Sequence, residues 1–170
     1  MILFHGPAGV GKSSLARVVS NRLTAGNIFA VQFSNGQSAL VEKIRTWTYE
    51  SRMRNMFGDR RVLVIEECDA MSAGALTEWR SFSDNLPPCY DVILTTNKTL
   101  KQLQPQLSSR CQTYHFGGCP VDELTEWLTS RWSMPPVMAN IVAQEARGDV
   151  RAALNKVESC LDQIMAERAA

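Results

Sequence analysis

One stretch restricts the fold of this chain more than any other: Met1-Ile2-Leu3-Phe4-His5-Gly6-Pro7-Ala8-Gly9-Val10-Gly11-Lys12-Ser13-Ser14. A short apolar run leads into Gly6-x-x-x-x-Gly11-Lys12-Ser13, the spacing of a phosphate-binding P-loop. The glycines let the backbone curl without a clashing Cβ, so that successive N–H groups converge on one anion. A helix beginning near Gly11 adds the partial positive charge of its N-terminus. Lys12 is the residue to reach β- and γ-phosphates, and the Ser13 hydroxyl suits a Mg²⁺ that bridges them. The backbone through Gly6, Pro7, Ala8, Gly9, Val10, Gly11 and on to Ser14 would line the site. A Gly-rich turn that binds nothing shares this spacing, but here a strand precedes it and Ser14–Val19 follows as a helical pattern, the context that the motif requires.

The remaining composition bounds the problem without deciding it. A chain of 170 residues suits one compact domain, or one with a small appendage. Hydrophobic residues make up 45% and charged ones 21%, an ordinary globular balance, and the formal net charge of +1 gives no global attraction to nucleic acid or membrane. Five cysteines (Cys68, Cys89, Cys111, Cys119, Cys160) without a C-x-x-C spacing argue against a zinc ribbon or a disulfide framework and fit a reducing cytoplasm. No run approaches a membrane span and no basic-then-apolar leader precedes the loop, so no membrane partner is expected. His5 and His115 fall at strand ends, where structural packing is the better expectation than a metal site.

Lys12 to Leu23 carries Leu15, Val18, Val19 and Leu23 near a 3.6-residue period, and Ala25-Gly26-Asn27 ends it. Ile28–Phe33 reads as a second strand, Ser34-Asn35-Gly36 as a turn, and Ser38–Asn55 as a helix with Leu40, Ile44, Trp47 and Met53 inward. That helix also bears Lys43, Arg45, Arg52 and Arg54, read as a solvated basic face in preference to a phosphate-backbone patch. Arg61–Asp69 is a buried strand ending in three acids, Glu66, Glu67 and Asp69. At the carboxyl end of such a strand, one carboxylate would serve the magnesium shell and another would orient or deprotonate water. Ala73–Asn85 is amphipathic through Ala75, Leu76, Trp79, Phe82 and Leu86 and stops at Pro87-Pro88. Asp91–Asn97 is a strand whose polar tip either simply terminates it or aims Asn97 at the γ-phosphate or the attacking water. Cys111–Phe116 is a final strand.

Gly117-Gly118-Cys119-Pro120 marks the boundary between a β/α domain, residues 1–118, and a helical one, residues 119–170. In the latter, helices run from Asp122 to Trp132 (Leu124, Trp127, Leu128), from Val137 to Ala146 (Ile141, Val142) and from Asp149 to about Met165 (Val150, Ala153, Leu154, Val157, Leu161, Ile164), with Asp149 as N-cap.

In this order the stretches resemble the AAA+ ATPases, and within them the clamp-loader group. Gly6–Ser13 is similar to the Walker A motif, Val62–Asp69 to Walker B, and Asn97 to the sensor 1 position. Ser109-Arg110-Cys111 resembles the Ser-Arg-Cys motif whose arginine reaches the ATP of a neighbouring subunit. Gly148-Asp149-Val150-Arg151-Ala152-Ala153-Leu154-Asn155 resembles the sensor 2 motif. The resemblance implies an α/β P-loop fold, a three-layer sandwich whose parallel five-stranded sheet has the order 5-1-4-3-2, with an all-α lid. It also implies ATP and Mg²⁺ as ligands, and roles for individual residues. Glu67 polarises water, Ser13 and Glu66 serve the metal, Asn97 senses the γ-phosphate, Arg110 acts in trans and Arg151 acts from the lid. Neighbouring AAA+ subunits, a sliding clamp and primed DNA follow as the implied partners.

Departures shape these expectations. Glu66 stands where the family usually has Asp, one methylene longer, in a position where magnesium demands good geometry. The stretch that in the family precedes the first strand and helps to hold adenine is not found in this sequence, and neither is the collar that follows the lid, so weaker adenine binding and weaker assembly are expected. A scaffold that binds ATP without hydrolysing it, and a loader of a helicase or another phage or plasmid replication factor, stay open beside the clamp-loader-like ATPase. A small-molecule kinase is the weakest alternative, for want of an acceptor site.

Overall fold

The computed structural model describes residues 1–53 and 60–169, with side chains described as far as residue 160. Arg54 and Asn55, placed by periodicity on the second helix, lie outside the described residues, as do the side chains of Leu161, Ile164 and Met165. The chain forms two compact units, Met1–Gly6 with Lys12–His115, and Pro7–Gly11 with Phe116–Ala170.

The first unit is built on a parallel sheet of five strands: β1 (Ile2–His5), β2 (Val31–Asn35), β3 (Arg61–Glu66), β4 (Tyr90–Thr96) and β5 (Gln112–His115), in the order β2-β3-β4-β1-β5. This is the expected order read from the other edge. Val62–Ile65 and Val92–Thr96 are buried without a break, as strands covered on both faces must be. Leu3 pairs with Leu94, which pairs in turn with Ile65, so β1, β4 and β3 run in step and end together. The edges differ in character. All four residues of β5 are exposed, and Phe33 of β2 is exposed too, because each edge strand has a neighbour on one side only.

Four helices accompany the sheet: α1 (Lys12–Leu23), α2 (Val41–Arg52), α3 (Ala73–Asp84) and the single turn α4 (Pro105–Ser108). Along α1 the inward positions are Lys12, Ala16 and Ser20, while Leu15 and Val18 are exposed. Val19 and Leu23 are half-buried, so the apolar stripe turns only partly inward. Ala16 and Ser20 are the small residues that allow the helix axis to come close. Strand β2 begins three residues later than expected, because Asn27 accepts a hydrogen bond from the Phe29 N–H and caps a 3₁₀ turn over Ile28–Ala30. A second 3₁₀ turn, Gly36–Ser38, is closed by a reciprocal cap: the Asn35 side chain accepts from the backbone of the turn, and the Ser38 hydroxyl accepts from the Asn35 N–H. Helix α2 therefore starts late. Leu40 and Met53 become its flanking caps and are exposed, leaving Ile44 and Trp47 to face the core.

Helix α3 is capped by Ser72, whose hydroxyl accepts from the Ala75 N–H at 3.2 Å. It buries Ala75, Trp79 and Phe82. Phe82 gathers an aromatic cluster: its ring lies 5.4 Å from Trp79, 6.5 Å from Trp47 and 6.0 Å, edge-on, from Tyr90. Offset and edge contacts of this kind are the favoured ring geometries. The Trp79 Nε1–H is buried with no hydrogen-bond partner among the described residues.

The second unit packs α5 (Val121–Trp132), α6 (Pro136–Ala146) and α7 (Val150–Ala169) around Leu124, Leu128, Ala139, Val142, Ala143, Ala146, Ala153 and Val157. Half of those residues are alanine, so the helices approach closely, and the bulkier Trp127 and Ile141, expected inside, are left 40% and 48% exposed at the rim. Asp149 caps α7 as expected, its Oδ1 accepting from the Ala152 N–H at 2.9 Å. Gly148 before it has φ +85, and a Cβ there would stand 3.0 Å from the Gly118 Cα. No helix among the described residues is long and apolar enough to cross a membrane.

Trp79→Ala is expected to destabilise the first unit by about 3–5 kcal/mol in urea unfolding. Trp79→Phe should cost less than about 1.5 kcal/mol, because it removes the unpaired indole N–H together with part of the volume. A loss for Trp79→Phe well above about 1.5 kcal/mol would show that relief of the unpaired N–H does not offset the lost volume.

Candidate functional site

The P-loop follows β1 directly. Gly6, Gly9 and Gly11 take φ values of 143, 73 and 93, the region that L side chains rarely enter. Lys12, almost fully buried, donates from its Nζ to the Gly6 carbonyl at 2.9 Å. Ser13 and Ser14 occupy the first turn of α1. Pro7 and Ala8 are exposed, and Gly9 and Val10 are half-buried. Within the second unit, the Arg151 backbone N–H donates to the Gly9 carbonyl at 3.3 Å, and a Cβ on Gly9 would collide with the Asp149 carboxylate. The Arg151 side chain is exposed.

The three acids after β3 occupy three different environments. Glu66 closes the strand, and its Oε1 is buried without a hydrogen bond, with the Arg17 Nη2 3.6 Å away. The Arg17 guanidinium itself lies 4.9 Å from the centre of the Phe33 ring. Glu67 is exposed and sits in the left-handed region at φ 51, ψ 47, a conformation a non-glycine residue holds only when its surroundings impose it. Those surroundings are visible. The Glu67 N–H donates to the Thr95 hydroxyl at 3.4 Å, and its carbonyl closes so tightly on Gly36 that a Cβ there would stand 2.1 Å away. The Asn35 Nδ2 donates to the Glu67 Oε2 at 3.0 Å. Asp69 turns elsewhere, accepting from the Thr96 hydroxyl at 2.6 Å.

A buried carboxylate oxygen with no hydrogen bond, on the last residue of a central strand, fits a divalent cation held by oxygen ligands. Glu66 and the Ser13 hydroxyl are the donors of the right chemistry. Asn97, just past β4, is exposed at the strand tip. The His5 and His115 rings face each other with centroids 5.1 Å apart at the ends of β1 and β5. Burial first, then His115 and Lys12, hold the His5 imidazole below its ordinary pKa.

The in-step pairing of β3, β4 and β1 brings Glu66, Glu67, Asn97, Gly6 and Lys12 to one edge of the sheet, its carboxyl edge. Arg110 is not among them. It lies two residues before Gln112, the first residue of β5, which pairs with Ile2, the first residue of β1. Arg110 therefore stands at the amino edge of the sheet, a strand length of roughly 13 Å from Gly6 beyond the other end of β1. There Asp84, at the end of α3, receives hydrogen bonds from its Nε and Nη2 in a two-pronged pair. The bond from Arg110 holds the Asp84 carboxyl below its usual range.

On α2, Arg45 is paired with Glu78, and the Lys43 Nζ donates to the Ser34 hydroxyl while lying 5.6 Å from the Trp47 ring centre. Asn35, Gly36, Thr95 and Asp84 were not legible as site residues. Ser34-Asn35-Gly36 carries only the signature of a turn, and its contact with Glu67 spans 32 residues.

Among known proteins, replication factor C subunit 3 of Blastobotrys adeninivorans is 24% identical over 168 residues, covering 94% of this chain and 49% of its own length. The replication factor C small subunit of Natronomonas pharaonis is 28% identical over 173 residues, covering 93% and 51%. The chain thus spans about half the length of the curated relatives it matches. Among solved structures, a point mutant of RuvB from Thermotoga maritima superposes with a TM-score of 0.80 at 19% identity, over 98% of this chain and 56% of that one, a likeness of fold. Residues 2–117, well over half of the sequence, match the ATPase family associated with various cellular activities (AAA), and the chain belongs to that family.

Proposed function

We propose that this chain is an ATP-hydrolysing subunit of a clamp-loader-like assembly, working in DNA replication or repair through ATP sites shared between neighbouring subunits. The observation that carries the reading is the division of the machinery between two edges of one sheet. Lys12, Glu66, Glu67 and Asn97 stand at the carboxyl edge and Arg110 at the opposite, amino edge, a strand length away from Gly6 and Lys12. An arginine so placed acts on a neighbour's nucleotide or on none. The names of the relatives, replication factor C subunits, support the setting in replication. A sliding clamp and primed DNA are the corresponding cargo, and five free cysteines suit a reducing cytoplasm.

In this reading the loop N–H groups and Lys12 hold the phosphates, Ser13 and Glu66 hold the cation, and Asn97 contacts the γ-phosphate. Magnesium, when bound, neutralises charge on the phosphate oxygens. Glu67 takes the proton of the attacking water, for which its carboxylate has to be available, and the hydrogen bond from Asn35 restrains it. Arg110 of a neighbour stabilises charge in the transition state, an effect worth about 10³–10⁵ in rate where it has been measured in other phosphoryl-transfer enzymes. To act, it must leave Asp84, an exchange of one anion for another. Residues 119–170 form the lid, and Arg151 on it responds to the γ-phosphate.

A second reading, a scaffold that binds ATP without hydrolysing it, is favoured by one observation: both candidate acids are already engaged, Glu66 by Arg17 and Glu67 by Asn35. Single-turnover hydrolysis separates the two. For an ATPase, Glu67→Gln slows the chemical step by at least about a hundredfold, whereas for a scaffold Glu67→Gln and wild type are equally slow. Asn35→Ala, by freeing the Glu67 carboxylate from one charge-assisted hydrogen bond, is expected to raise basal turnover by up to about tenfold; a fall would show that Asn35 orients the base and does not restrain it. Turnover per chain should also rise steeply with protein or partner concentration, and Arg110→Ala should abolish that rise. A rate independent of concentration and unaltered in Arg110→Ala would remove the assignment in trans.

A further inference from the structure

We infer that Asp69, the third acid after β3, is a positioning residue for Asn97, which it holds in place through the two residues that flank it. The inference rests on the role proposed above for Asn97. It starts from a difficulty: Asn97 lies beyond the last paired residue of β4 and is exposed, so nothing in the strand ladder fixes it. A side chain that reports on one phosphate oxygen has to be held to within a fraction of an ångström, because small misplacements are costly in rate and affinity.

The residues on either side supply the restraint. Thr96 is 1% exposed, and both capacities of its hydroxyl are used: it donates to the Asp69 Oδ1 at 2.6 Å and accepts from the Lys98 N–H at 3.0 Å. Its rotamer is thereby fixed, and the backbone is drawn into a turn centred on Asn97. The other oxygen of the same carboxylate, Oδ2, lies 3.6 Å from the Lys98 Nζ. One carboxylate thus engages the residue before Asn97 and the residue after it. Asp69 is itself anchored, since it belongs to the 3₁₀ turn Cys68–Ala70, in which Cys68 is fully buried and the Ala70 N–H donates to the Glu67 carbonyl at 2.9 Å. The turn that begins at the proposed base is therefore tied to the turn that carries the proposed γ-phosphate contact. The acid run divides its labour: Glu66 and Glu67 face the chemistry, and Asp69 holds the neighbouring strand tip.

If Asp69 merely terminated the strand, its loss would lower stability without altering how the site tells a third phosphate from a second. Calorimetric titration of the full chain with ADP and with a non-hydrolysable ATP analogue, in magnesium, gives that discrimination as a ratio of dissociation constants. Asn97→Ala and Asp69→Ala should each lower the ratio by about three- to tenfold, the weight of roughly one hydrogen bond, and the double variant should lower it no further than Asn97→Ala alone. Asp69→Asn keeps an acceptor for the Thr96 hydroxyl and should restore most of the loss. Lys98→Met, on an exposed side chain, should lower the ratio about twofold, again with no addition to Asn97→Ala, and it decides the matter if Asp69→Ala does not fold. Additive losses, or a ratio insensitive to Asp69 and Lys98 while Asn97→Ala lowers it, would overturn the positioning role. An Asn97→Ala variant that discriminates as well as wild type would instead show that the role of Asn97 is wrong, and the inference would go with it.

Discussion

The parallel, in-step pairing of β4 with β1 on one side and β3 on the other is the constraint on which everything chemical in the first unit depends. Three adjacent strands that end together present three sets of residues at one edge, spaced by the roughly 4.8 Å of strand separation. The P-loop comes from β1, the acids from β3 and the polar tip from β4. A register slip of one residue would turn every side chain on the slipped strand to the other face and put the residues at its tip out of step with their neighbours. The unbroken burial of β3 and β4 is what makes such a slip expensive, so the hydrophobic core and the alignment of the site are the same fact seen from two sides.

Close backbone approach is the second theme, and it recurs where the chemistry is. Gly36 meets the Glu67 carbonyl, Gly9 meets the Asp149 carboxylate, and Gly148 meets Gly118. In the first unit this approach, with the Thr95 hydroxyl, imposes the left-handed conformation of Glu67, a local cost of about 1–3 kcal/mol that the surrounding core offsets. The helices follow the same logic. Ala16 and Ser20 let α1 settle on the sheet, and the alanines of α6 let the second unit close around a small core. In both cases the bulky apolar residues that dominate a hydrophobicity pattern, Val18 in one and Ile141 in the other, are pushed outward.

That is why the pattern of the sequence was a better guide to the elements than to their faces. Periodicity and turn chemistry located β1, α1, β3, α3 and the three helices of the second unit closely, because each of these signals is local. Asp149 was recognisable as a cap for the same reason. The late starts of β2 and α2 were not legible, since they depend on side-chain caps from Asn27, Asn35 and Ser38 that compete with regular structure over two or three residues. The inward face of α1 was misjudged because a small buried residue carries no hydrophobic signal, while an exposed leucine carries a strong one; on α2, Ile44 and Trp47 face inward as expected and only Leu40 and Met53, at its ends, do not.

Taken by itself, the sequence determined the P-loop, the alternation of strand and helix that requires a parallel sheet, the acids placed after a buried strand, and an arginine just before the last strand. Each is written in consecutive residues, where backbone conformation and hydrophobic period leave a direct trace. Only the tertiary structure decided what those groups do to one another: that Glu66 meets Arg17, Glu67 meets Asn35, Asp69 meets Thr96, and Arg110 stands with Asp84 at the edge of the sheet opposite the acids. The physical reason is the same throughout. These contacts join residues about 26 to 49 positions apart, and they are set by strand order and register, which no local spacing encodes.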